Sequence, residues 1–583
     1  MNKFFILSFA LILFTGCVQT KNNYLNCKTY TEAELPIEVV SDWSAIKKGL
    51  HATIGSIDIR YVKHEIPDVA HQSQWNGTAW RGERVSAQLV TWSRDNISQI
   101  HGQFTNFRTT DGKIIPADAA NIHFVRYVIT DEFGPGCGHR KPEDFASSLS
   151  PDVLDNLACF NLESNTTRPI WITMDVPRDA APGIYTSTLQ LFADGKRNAS
   201  FTFQLEVLPQ TLPPAVEWKF HLDLWQNPYS VARIAGVEPW TPEHWEALRE
   251  PMTMLANAGQ KVITATLNKR PWNGQTEDAF GTMIEWTKKA DGTWEYDYTV
   301  FDNWIQFMMD LGINAQISCY SMVPWGNYLF YFDEEKGEEV RVAATPGTQV
   351  FADMWVPFLN DFLHHLDEKG WRDITLIAMD ERSPQEMKAM LELLDKVAPG
   401  MGVQLADNQR SYQLFVEQLA DISVMHGVTV SPEDMAFRRS KNHITTWYVC
   451  CSDEFPNVFT FSDPAEGAFI GWYTMAADFD GFLRWAYNSW VIEPLIDSRF
   501  RTWPAGDTSI IYPEGRSSIR FERLREGIQD AEKIRILREQ FRDNPAKLEQ
   551  LNSAIERFNI IKRPANLEEL VNEGKRVLEE LSR

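Results

Sequence analysis

Two adjacent carboxylates, Asp380 and Glu381, end an apolar run in the stretch ITLIAMDERSPQEM at 374–387. Successive side chains of a strand point to opposite faces, so both carboxylates can serve one site only where the strand has ended and the chain turns into a loop. Paired carboxylates cleave glycosidic bonds, one as general acid and the other as nucleophile or base. The pair therefore makes glycoside hydrolysis the first hypothesis.

Sequence neighbours suit a mechanism in which the substrate supplies its own nucleophile. A 2-acetamido oxygen attacks the anomeric carbon, Asp380 orients and stabilises the amide as it becomes cationic, and Glu381 protonates the leaving oxygen. The negative charge of one carboxylate favours the protonated form of its neighbour, as an acid requires. A conventional double displacement remains open, with Asp407 or Glu493 as the nucleophile.

Strand-like and helix-like segments alternate through the second part of the chain. We predict strands at 217–225, 261–268, 313–321, 374–381, 402–408, 421–427, 443–450 and 481–490, and helices such as 242–258, 353–369 and 412–420. This alternation predicts a (β/α)8 TIM barrel. Asp380 and Glu381 then lie at the carboxyl end of the fourth strand, where barrels carry their active sites. A capping box from Ser383 to Glu386, with Pro384 at the first helical position, starts the next helix.

The ends of other predicted strands bring polar and aromatic residues to the same rim. A sugar site needs both kinds, because hydroxyl groups require hydrogen bonds and the apolar C–H faces of a sugar stack on aromatic rings. The competing interpretation for each aromatic residue is packing within the barrel or between its layers. The predicted substrate-binding residues are Tyr320, Asn408, His426, Trp447, Tyr448, Tyr487, Asn488 and Trp490.

The first part of the chain has the pattern of an antiparallel β-sandwich. Short alternating runs at 168–176, 183–192 and 199–207 are separated by turn residues. The paired prolines Pro213 and Pro214 mark a linker. We predict a sandwich domain at 17–212 and a catalytic barrel with C-terminal helices at 215–583.

The first residues are typical of a bacterial lipoprotein signal. Lys3, an apolar stretch at 4–14 and the sequence FTGC predict a signal peptide at 1–16 and a lipid on Cys17. The apolar stretch is too short for a permanent membrane-spanning helix. An ordinary secretion signal cut nearby is the alternative. The predicted location is the bacterial cell envelope, on the periplasmic side or the outer-membrane surface, with a lipid anchor as the membrane contact.

Composition indicates a large globular chain and argues against some partners. The 583 residues are 44% hydrophobic and 23% charged, which suffices for substantial cores. A net charge of −23 argues against nucleic acid and against anionic lipid. The content of 21 Trp favours a carbohydrate ligand. The seven Cys show no repeated CxxC spacing, so we expect no metal and no cofactor, and a disulfide such as Cys137 with Cys159 is compatible with export.

Several motifs together resemble those of glycoside hydrolase family 123. They are MDE on the fourth predicted strand, WYVCC on the seventh, GFLRWAYNSW on the eighth and YPEGRSSIRFERLREGIQDAEKI after it. The resemblance spans nearly the whole chain after the signal. It implies a retaining β-N-acetylgalactosaminidase that uses substrate-assisted catalysis, with Asp380 as the stabilising residue and Glu381 as the acid/base. It also implies that Trp447, Tyr448 and Trp490 line the sugar pocket.

We therefore expect an exo-acting enzyme that releases terminal β-linked N-acetylgalactosamine from glycans or glycosphingolipids. Within its site, Tyr448 is the candidate for hydrogen bonding the acetamide oxygen. Two alternatives stay open. One is a β-N-acetylhexosaminidase or another retaining glycosidase with a second carboxylate as nucleophile, and the other is a sugar-binding lipoprotein without catalysis.

Overall fold

The computed structural model describes residues 27–36, 41–134, 137–138 and 140–583. The predicted signal peptide and Cys17 lie outside the described residues. Two sheets packed face to face precede a barrel of parallel strands. This arrangement confirms the predicted fold class.

Twelve strands form the sandwich in the described part of the chain. They are β1 (His51–Gly55), β2 (Gln74–Arg81), β3 (Arg84–Ser93), β4 (Ile97–Phe104), β5 (Phe107–Arg108), β6 (Ile114–Ile115), β7 (Ala120–Thr130), β8 (Ser148–Asp155), β9 (Phe160–Leu162), β10 (Thr166–Asp175), β11 (Gly183–Ala193) and β12 (Lys196–Thr211). One sheet has the order β1-β3-β10-β7-β8, and the other has the order β2-β12-β11-β4-β9 with β5 and β6 beside it. All pairs are antiparallel except β2 with β12.

The burial of the sandwich strands shows what each sheet faces. Along β11, buried residues alternate with more exposed ones, as expected for a strand with one face in a core. Along β10, all residues except the last are buried, because its sheet is covered on both faces. On the far face Trp171 packs with Ile519, which lies in the C-terminal part of the chain. The five-stranded sheet thus lies between the other sheet and the barrel domain.

The later part of the chain contains the strands β13 (His221–Leu224), β14 (Val262–Thr266), β15 (Glu285–Lys288), β16 (Trp294–Asp297), β17 (Gln316–Tyr320), β18 (Tyr328–Asp333), β19 (Glu338–Ala343), β20 (Thr375–Asp380), β21 (Gly402–Asp407), β22 (Leu419–Met425), β23 (Ile444–Tyr448) and β24 (Gly481–Arg484). Its helices are α1 (Pro228–Ala235), α2 (Pro242–Ala256), α3 (Thr299–Asp310), α4 (Gln349–Lys369), α5 (Pro384–Val397), α6 (Pro432–Ser440), α7 (Pro464–Ala476), α8 (Ile519–Gln540), α9 (Pro545–Ile555) and α10 (Leu567–Ser582).

Eight parallel strands form a nearly closed barrel in the order β13-β24-β23-β22-β21-β20-β17-β14. A single bridge between Leu222 and Gln260 joins the first strand to the β14 side. Each barrel strand overlaps one predicted strand, although β24 ends at Arg484, six residues before the predicted end at 490. β14 and β17 are buried along their whole length, and the other barrel strands are mostly buried, as expected where helices cover a parallel sheet.

Local sequence explains where the helices begin. Six of the described helices start with proline directly after an Asn, Thr, Ser or Asp residue. Proline suits the first helical position, since its missing N–H would have no partner there. The predicted capping box of α5 is confirmed, because Ser383 Oγ accepts from the N–H of Glu386 while the Glu386 carboxylate accepts from the N–H of Ser383.

The helix predicted at 412–420 is wrong. Only a short 3-10 turn, Ser411–Gln413, lies between β21 and β22, and β22 already begins at Leu419. The physical reason is the Asp407 carboxylate, which accepts hydrogen bonds from the backbone N–H and the hydroxyl of Ser411 at 2.6 and 2.8 Å. This contact closes a tight turn directly after the strand and leaves too little chain for a helix.

Long insertions after β14 and β17 build a separate sheet, with the order β16-β15-β18-β19. Both insertions leave the carboxyl ends of their barrel strands, so they extend the face on which Asp380 lies. Trp286 of β15 stacks on Phe358 of α4 with 4.4 Å between ring centroids, which ties this sheet to the barrel's outer layer. None of the described helices is long and apolar enough to cross a membrane.

The sandwich and the barrel are joined by buried polar contacts and by a disulfide. Asp152 of β8 accepts from the guanidinium of Arg520 on α8 at 2.8 Å and from the Tyr512 hydroxyl at 2.7 Å. The disulfides are Cys27–Cys159 and Cys137–Cys451. The pairing that the sequence left open is thus settled, and it differs from the example of Cys137 with Cys159. Cys137 instead pairs across the domain boundary, because the chain between β7 and β8 reaches the barrel.

Candidate active site

The acid pair lies at the carboxyl end of the fourth barrel strand. Asp380 is the last residue of β20, and Glu381 has a φ of 49°, in the left-handed region. The N–H of Glu381 donates to the carbonyl of Ala406 on β21 at 2.9 Å, which fixes this turn. Because the turn interrupts the alternation of the strand, both carboxylates reach the same cavity.

That cavity has a volume of about 460 Å³, which is typical of a small-ligand site. Its inner part is aromatic: Trp225 and Trp272 are buried and stack with 4.8 Å between ring centroids. The described residues that line it are Cys137, Gly138, Trp225, Trp272, Asn273, Gly274, Gln275, Trp325, Asp380, Glu381, Ala406, Tyr448, Cys450, Cys451, Leu483, Trp485 and Trp503.

Glu381 is held by Tyr448 from the seventh barrel strand. The Tyr448 hydroxyl donates to Glu381 Oε1 at 2.6 Å. Burial, and then the charge of Glu381, raise the pKa of Tyr448 far above its usual range. Tyr448 therefore remains a neutral phenol that donates a hydrogen bond. This bond orients the Glu381 carboxylate within the cavity.

Asp380 lies where an ionised carboxylate is disfavoured. Burial, followed by the charge of Glu381, raises the pKa of Asp380 to about 8. The guanidinium of Arg382 and the indole N–H groups of Trp272 and Trp325 oppose this rise. Burial and the neighbouring like charge both disfavour the charged form, so Asp380 retains its proton near neutral pH.

Backbone contacts fix the position of Asp380. Its carbonyl oxygen accepts from Arg382 Nε at 2.8 Å and from Trp325 Nε1 at 3.2 Å. The Arg382 guanidinium also lies over the Trp325 ring, 5.2 Å from the ring centroid. The residue after the pair and the loop after β17 thus hold the end of the strand in place.

Of the predicted substrate-binding residues, Tyr448 lines the cavity, and the neighbouring Trp447 does not. Trp447 points to the other face of β23, where it packs against Tyr473 and Phe482 and donates to Thr474 Oγ1 at 2.8 Å. Adjacent residues of a strand face opposite sides, so one of the two had to enter the layer between barrel and helices.

The predicted residues beyond β24 also lie outside the cavity. Tyr487 is buried and donates to the carbonyl of Pro251 at 2.8 Å, and Trp490 donates to the carbonyl of Ile511 at 2.8 Å. The side chain of Asn488 exchanges hydrogen bonds with the backbone of Asn227. Because β24 ends at Arg484, the residue at the rim of the cavity is Trp485. The residues that follow it pack against other parts of the fold.

Three further predicted residues flank the site without lining it. Tyr320 is fully buried and contacts the rings of Trp225 and Trp272 with 4.8 and 4.7 Å between centroids, so it backs the aromatic wall. The ring of His426 bonds to the Phe455 carbonyl at 3.0 Å. The side chain of Asn408 accepts from that of Gln409.

The two candidate carboxylate nucleophiles of a double displacement lie elsewhere. Asp407 is buried and is occupied by the turn that it forms with Ser411. Glu493 is exposed on the segment after β24. Among the described residues that line the cavity, the carboxylates are those of Asp380 and Glu381.

Sequence reasoning missed most of the aromatic wall. Trp225 directly follows β13 and Trp485 directly follows β24, so the rule that strand ends form the site could have found both. Trp272 and Trp325 come from the insertions, and Trp503 comes from the chain after β24, where no periodic signal marks a position.

The cysteines beside the cavity were also missed. Cys137, Cys450 and Cys451 place their sulfur atoms within 4.8 Å of one another, the one such group of potential metal ligands in the described residues. Two of the three sulfurs form the Cys137–Cys451 disulfide, and Cys450 is a free thiol. Burial raises the pKa of Cys450 to about 12, so this thiol stays protonated at neutral pH. A metal-binding set of three thiolates is therefore not formed.

Comparisons with known proteins agree with this arrangement. The family model for the glycoside hydrolase 123 catalytic domain matches residues 225–537, and that for the glycoside hydrolase 123 N-terminal domain matches residues 54–193. A family 123 glycoside hydrolase from Clostridium perfringens, whose structural study concerns glycolipid glycan hydrolysis, is 29% identical with a TM-score of 0.83, covering 92% of this chain and 98% of that one.

Structures with much lower similarity give no information about the function of this chain. A family 39 glycoside hydrolase from Bacteroides cellulosilyticus is 11% identical with a TM-score of 0.31, over 78% of this chain and 80% of that one. No curated protein sequence matches the chain.

Proposed function

The chain belongs to glycoside hydrolase family 123, and from this premise we propose that it releases terminal β-linked N-acetylgalactosamine by substrate-assisted catalysis. One observation carries the proposal. Asp380 and Glu381 share a cavity in which no other carboxylate of the described residues is available as a nucleophile. This supports a mechanism in which the substrate supplies the nucleophile, since an acetamide group at C2 has an oxygen within reach of the anomeric carbon.

In the first step the acetamide oxygen forms a bond to C1 while the bond from C1 to the glycosidic oxygen breaks. Glu381 gives its proton to the departing oxygen. The amide becomes part of an oxazolinium ion, whose N–H donates to the Asp380 carboxylate and whose positive charge that carboxylate stabilises. In the second step Glu381 takes a proton from water, the water oxygen attacks C1, and the ring opens with net retention of configuration.

This cycle needs the shared proton on Glu381 and the charge on Asp380. Burial disfavours the charged form of Asp380. An amide N–H from the substrate would provide the hydrogen bond that favours the charged form, adding to those from Trp272 and Trp325. Binding of the acetamide thus favours the charged form of Asp380, which is the form that the proposed cycle uses.

The aromatic wall suits an N-acetylated sugar. The stacked rings of Trp225 and Trp272 offer an apolar surface to the acetyl methyl group and the sugar C–H groups. The Tyr448 hydroxyl, which contacts Glu381, lies beside the acid pair and can turn to the acetamide oxygen when the substrate is bound.

The natural substrate that we propose is a glycan or glycosphingolipid with a terminal β-linked N-acetylgalactosamine. The Clostridium perfringens enzyme, named for glycolipid glycan hydrolysis, supports this choice. We also propose that Cys17 anchors the protein to the cell envelope through lipid. Metabolic labelling with a fatty acid should mark the native chain and leave a Cys17→Ser variant unlabelled, and labelling of both would contradict the anchor.

A panel of 4-nitrophenyl glycosides tests the activity. We expect hydrolysis of the β-N-acetylgalactosaminide, weaker hydrolysis of the β-N-acetylglucosaminide and almost none of the β-galactoside. Efficient hydrolysis of the β-galactoside would refute substrate assistance and favour double displacement. Binding of N-acetylgalactosamine without hydrolysis of any member would favour a sugar-binding protein instead.

A further inference from the structure

The cavity has a closed inner end and an open outer end. Trp225, Trp272 and Tyr448 at the inner end are buried, whereas Gly138 is exposed and Trp485 is half-buried at the outer end. An exo-acting hydrolase holds the terminal sugar at the closed end, and the rest of the glycan, the aglycone, leaves through the opening. Residues at the outer end are therefore those that the aglycone meets.

Part of this outer end belongs to the sandwich domain. Cys137 and Gly138, from the chain between β7 and β8, line the same cavity as Asp380 and Glu381. The Cys137–Cys451 disulfide joins this segment to the barrel, and its two cysteines are 314 residues apart in the sequence. Cys451 lies three positions after Tyr448. The sandwich thus reaches the neighbourhood of the acid through a covalent link.

Hydrogen bonds fix the base of this connection. The carbonyl of Ile129 accepts from the N–H of Ser498 at 2.9 Å, and the Asp131 carboxylate accepts from the N–H of Ala505 at 3.0 Å. Arg140, itself buried, pairs with Asp131 at 3.2 Å. The described part of the β7–β8 chain is therefore packed against the barrel segment at 496–507, which carries Trp503.

Two half-buried tryptophans complete the outer end. Trp485 and Trp503 lie with 6.3 Å between ring centroids. Trp485 Nε1 donates to Asp507 at 3.2 Å, and the Asp507 carboxylate is paired with the fully buried Arg484. These contacts hold an aromatic surface at the opening before any ligand arrives, which reduces the cost of ordering on binding.

We propose that the sandwich domain builds one side of the aglycone-binding site, and that the Cys137–Cys451 disulfide holds this side in register with Glu381. The aglycone recognised there is a sugar residue that stacks on Trp485 and Trp503. The inference rests on the proposed function, because it assumes that the terminal sugar occupies the inner end. Binding energy from this remote part of the substrate serves to position the scissile bond.

The test separates the two ends of the cavity with two ligands. A galacto-configured thiazoline, which mimics the oxazolinium ion, occupies only the inner end. A disaccharide of β-N-acetylgalactosamine linked to galactose occupies both ends. The test variant is Cys137→Ser with Cys451→Ser, and the matched control is Cys27→Ser with Cys159→Ser, which removes the disulfide internal to the sandwich.

We expect the test variant to bind the thiazoline with unchanged affinity and to lose about tenfold in kcat/KM on the disaccharide, equivalent to about 1.4 kcal/mol of lost contact. The control should keep both properties. Trp503→Ala, a change at a half-buried ring that leaves both disulfides intact, should show the same split even if the disulfide variant fails to fold.

Equal losses in thiazoline affinity and in kcat/KM on the disaccharide would overturn the inference, since the Cys137–Cys451 disulfide would then support the whole site. Disaccharide turnover equal to that of the control would overturn it as well. Failure of the wild-type protein to bind the thiazoline would instead refute the proposed function, and the assignment of the aglycone side with it.

Discussion

The hydroxyl of Tyr448 donates a 2.6 Å hydrogen bond to Oε1 of Glu381. Tyr448 ends the seventh barrel strand and Glu381 follows the fourth, so the contact spans the mouth of the barrel. It orients the proposed acid, and it links the position of the acid to the strand that leads into Cys451.

Replacing Tyr448 with Phe tests this contact. The variant loses the donor that orients Glu381 and that we propose for the acetamide oxygen. Leaving a buried acceptor without its hydrogen bond costs about 1–3 kcal/mol, so kcat/KM should fall roughly 5- to 150-fold. Steady-state kinetics on the aryl N-acetylgalactosaminide measure the change. Tyr487→Phe is the matched control: its hydroxyl bonds to the Pro251 carbonyl outside the cavity, so the melting temperature should fall while kcat/KM is retained. Equal kinetic losses in both variants would contradict a role for Tyr448 in the site.

Glu381→Gln should cost most with a poor leaving group, because only such a group needs the proton. General acid catalysis contributes about 10²- to 10⁴-fold, and an activated nitrophenyl substrate should retain more of its first-step rate than a disaccharide. Azide can attack C1 without base assistance, so it should restore turnover and yield a β-glycosyl azide. The exposed Glu493→Gln serves as control and should keep wild-type rates. The same loss across all leaving groups would reassign Glu381 to substrate binding.

Asp380→Asn should abolish most of the activity and stabilise the fold. Loss of a preorganised charge partner costs on the order of 10² to 10³ in kcat. The stability effect follows from the raised pKa of Asp380, which is about 8 in the folded protein. The native state keeps a proton that the unfolded chain has already lost, so the wild-type carboxyl destabilises the fold as pH rises from about 4 to about 8.

Thermal unfolding across this pH range measures the stability effect. The melting temperature of Asp380→Asn should exceed that of the wild type, and the difference should grow with pH up to about 8. A difference that does not depend on pH would show that Asp380 is ionised without penalty. Near wild-type turnover of the variant would remove Asp380 from the reaction.

Stepwise fluorination of the substrate's acetyl group tests the nucleophile directly. Each fluorine withdraws electrons from the acetamide oxygen, so kcat should fall progressively if this oxygen attacks C1. The advantage of an intramolecular nucleophile is large, and exchange of the acetamide for a hydroxyl group should therefore nearly abolish turnover. Rates on the mono-, di- and trifluoroacetyl substrates measure the slope. A flat response, with a sugar trapped on an enzyme side chain, would establish double displacement.

Local patterns in the sequence predicted the fold well. Alternation along 183–192 and 199–207 identified β11 and β12, and each of the eight barrel strands overlaps a predicted segment. The burial pattern of a strand can be predicted from neighbouring residues. Side chains of a half-buried strand alternate between polar and apolar, and a buried parallel strand is apolar throughout. The failed helix at 412–420 shows the limit, because the contact between Asp407 and Ser411 outweighed a weak local pattern.

The position of the acid pair was likewise determined by the sequence, since an apolar run ending in Asp380 and Glu381 marks a strand end wherever the strand is placed. The tertiary structure alone decided the surroundings of that pair. It turned Tyr448 inward and Trp447 outward, ended β24 before Tyr487, and brought Cys137 to Cys451 from another domain. The physical reason is that strand ends and facing sides are fixed by hydrogen bonds and packing between distant segments, and the spacing of residues along the chain does not encode those contacts.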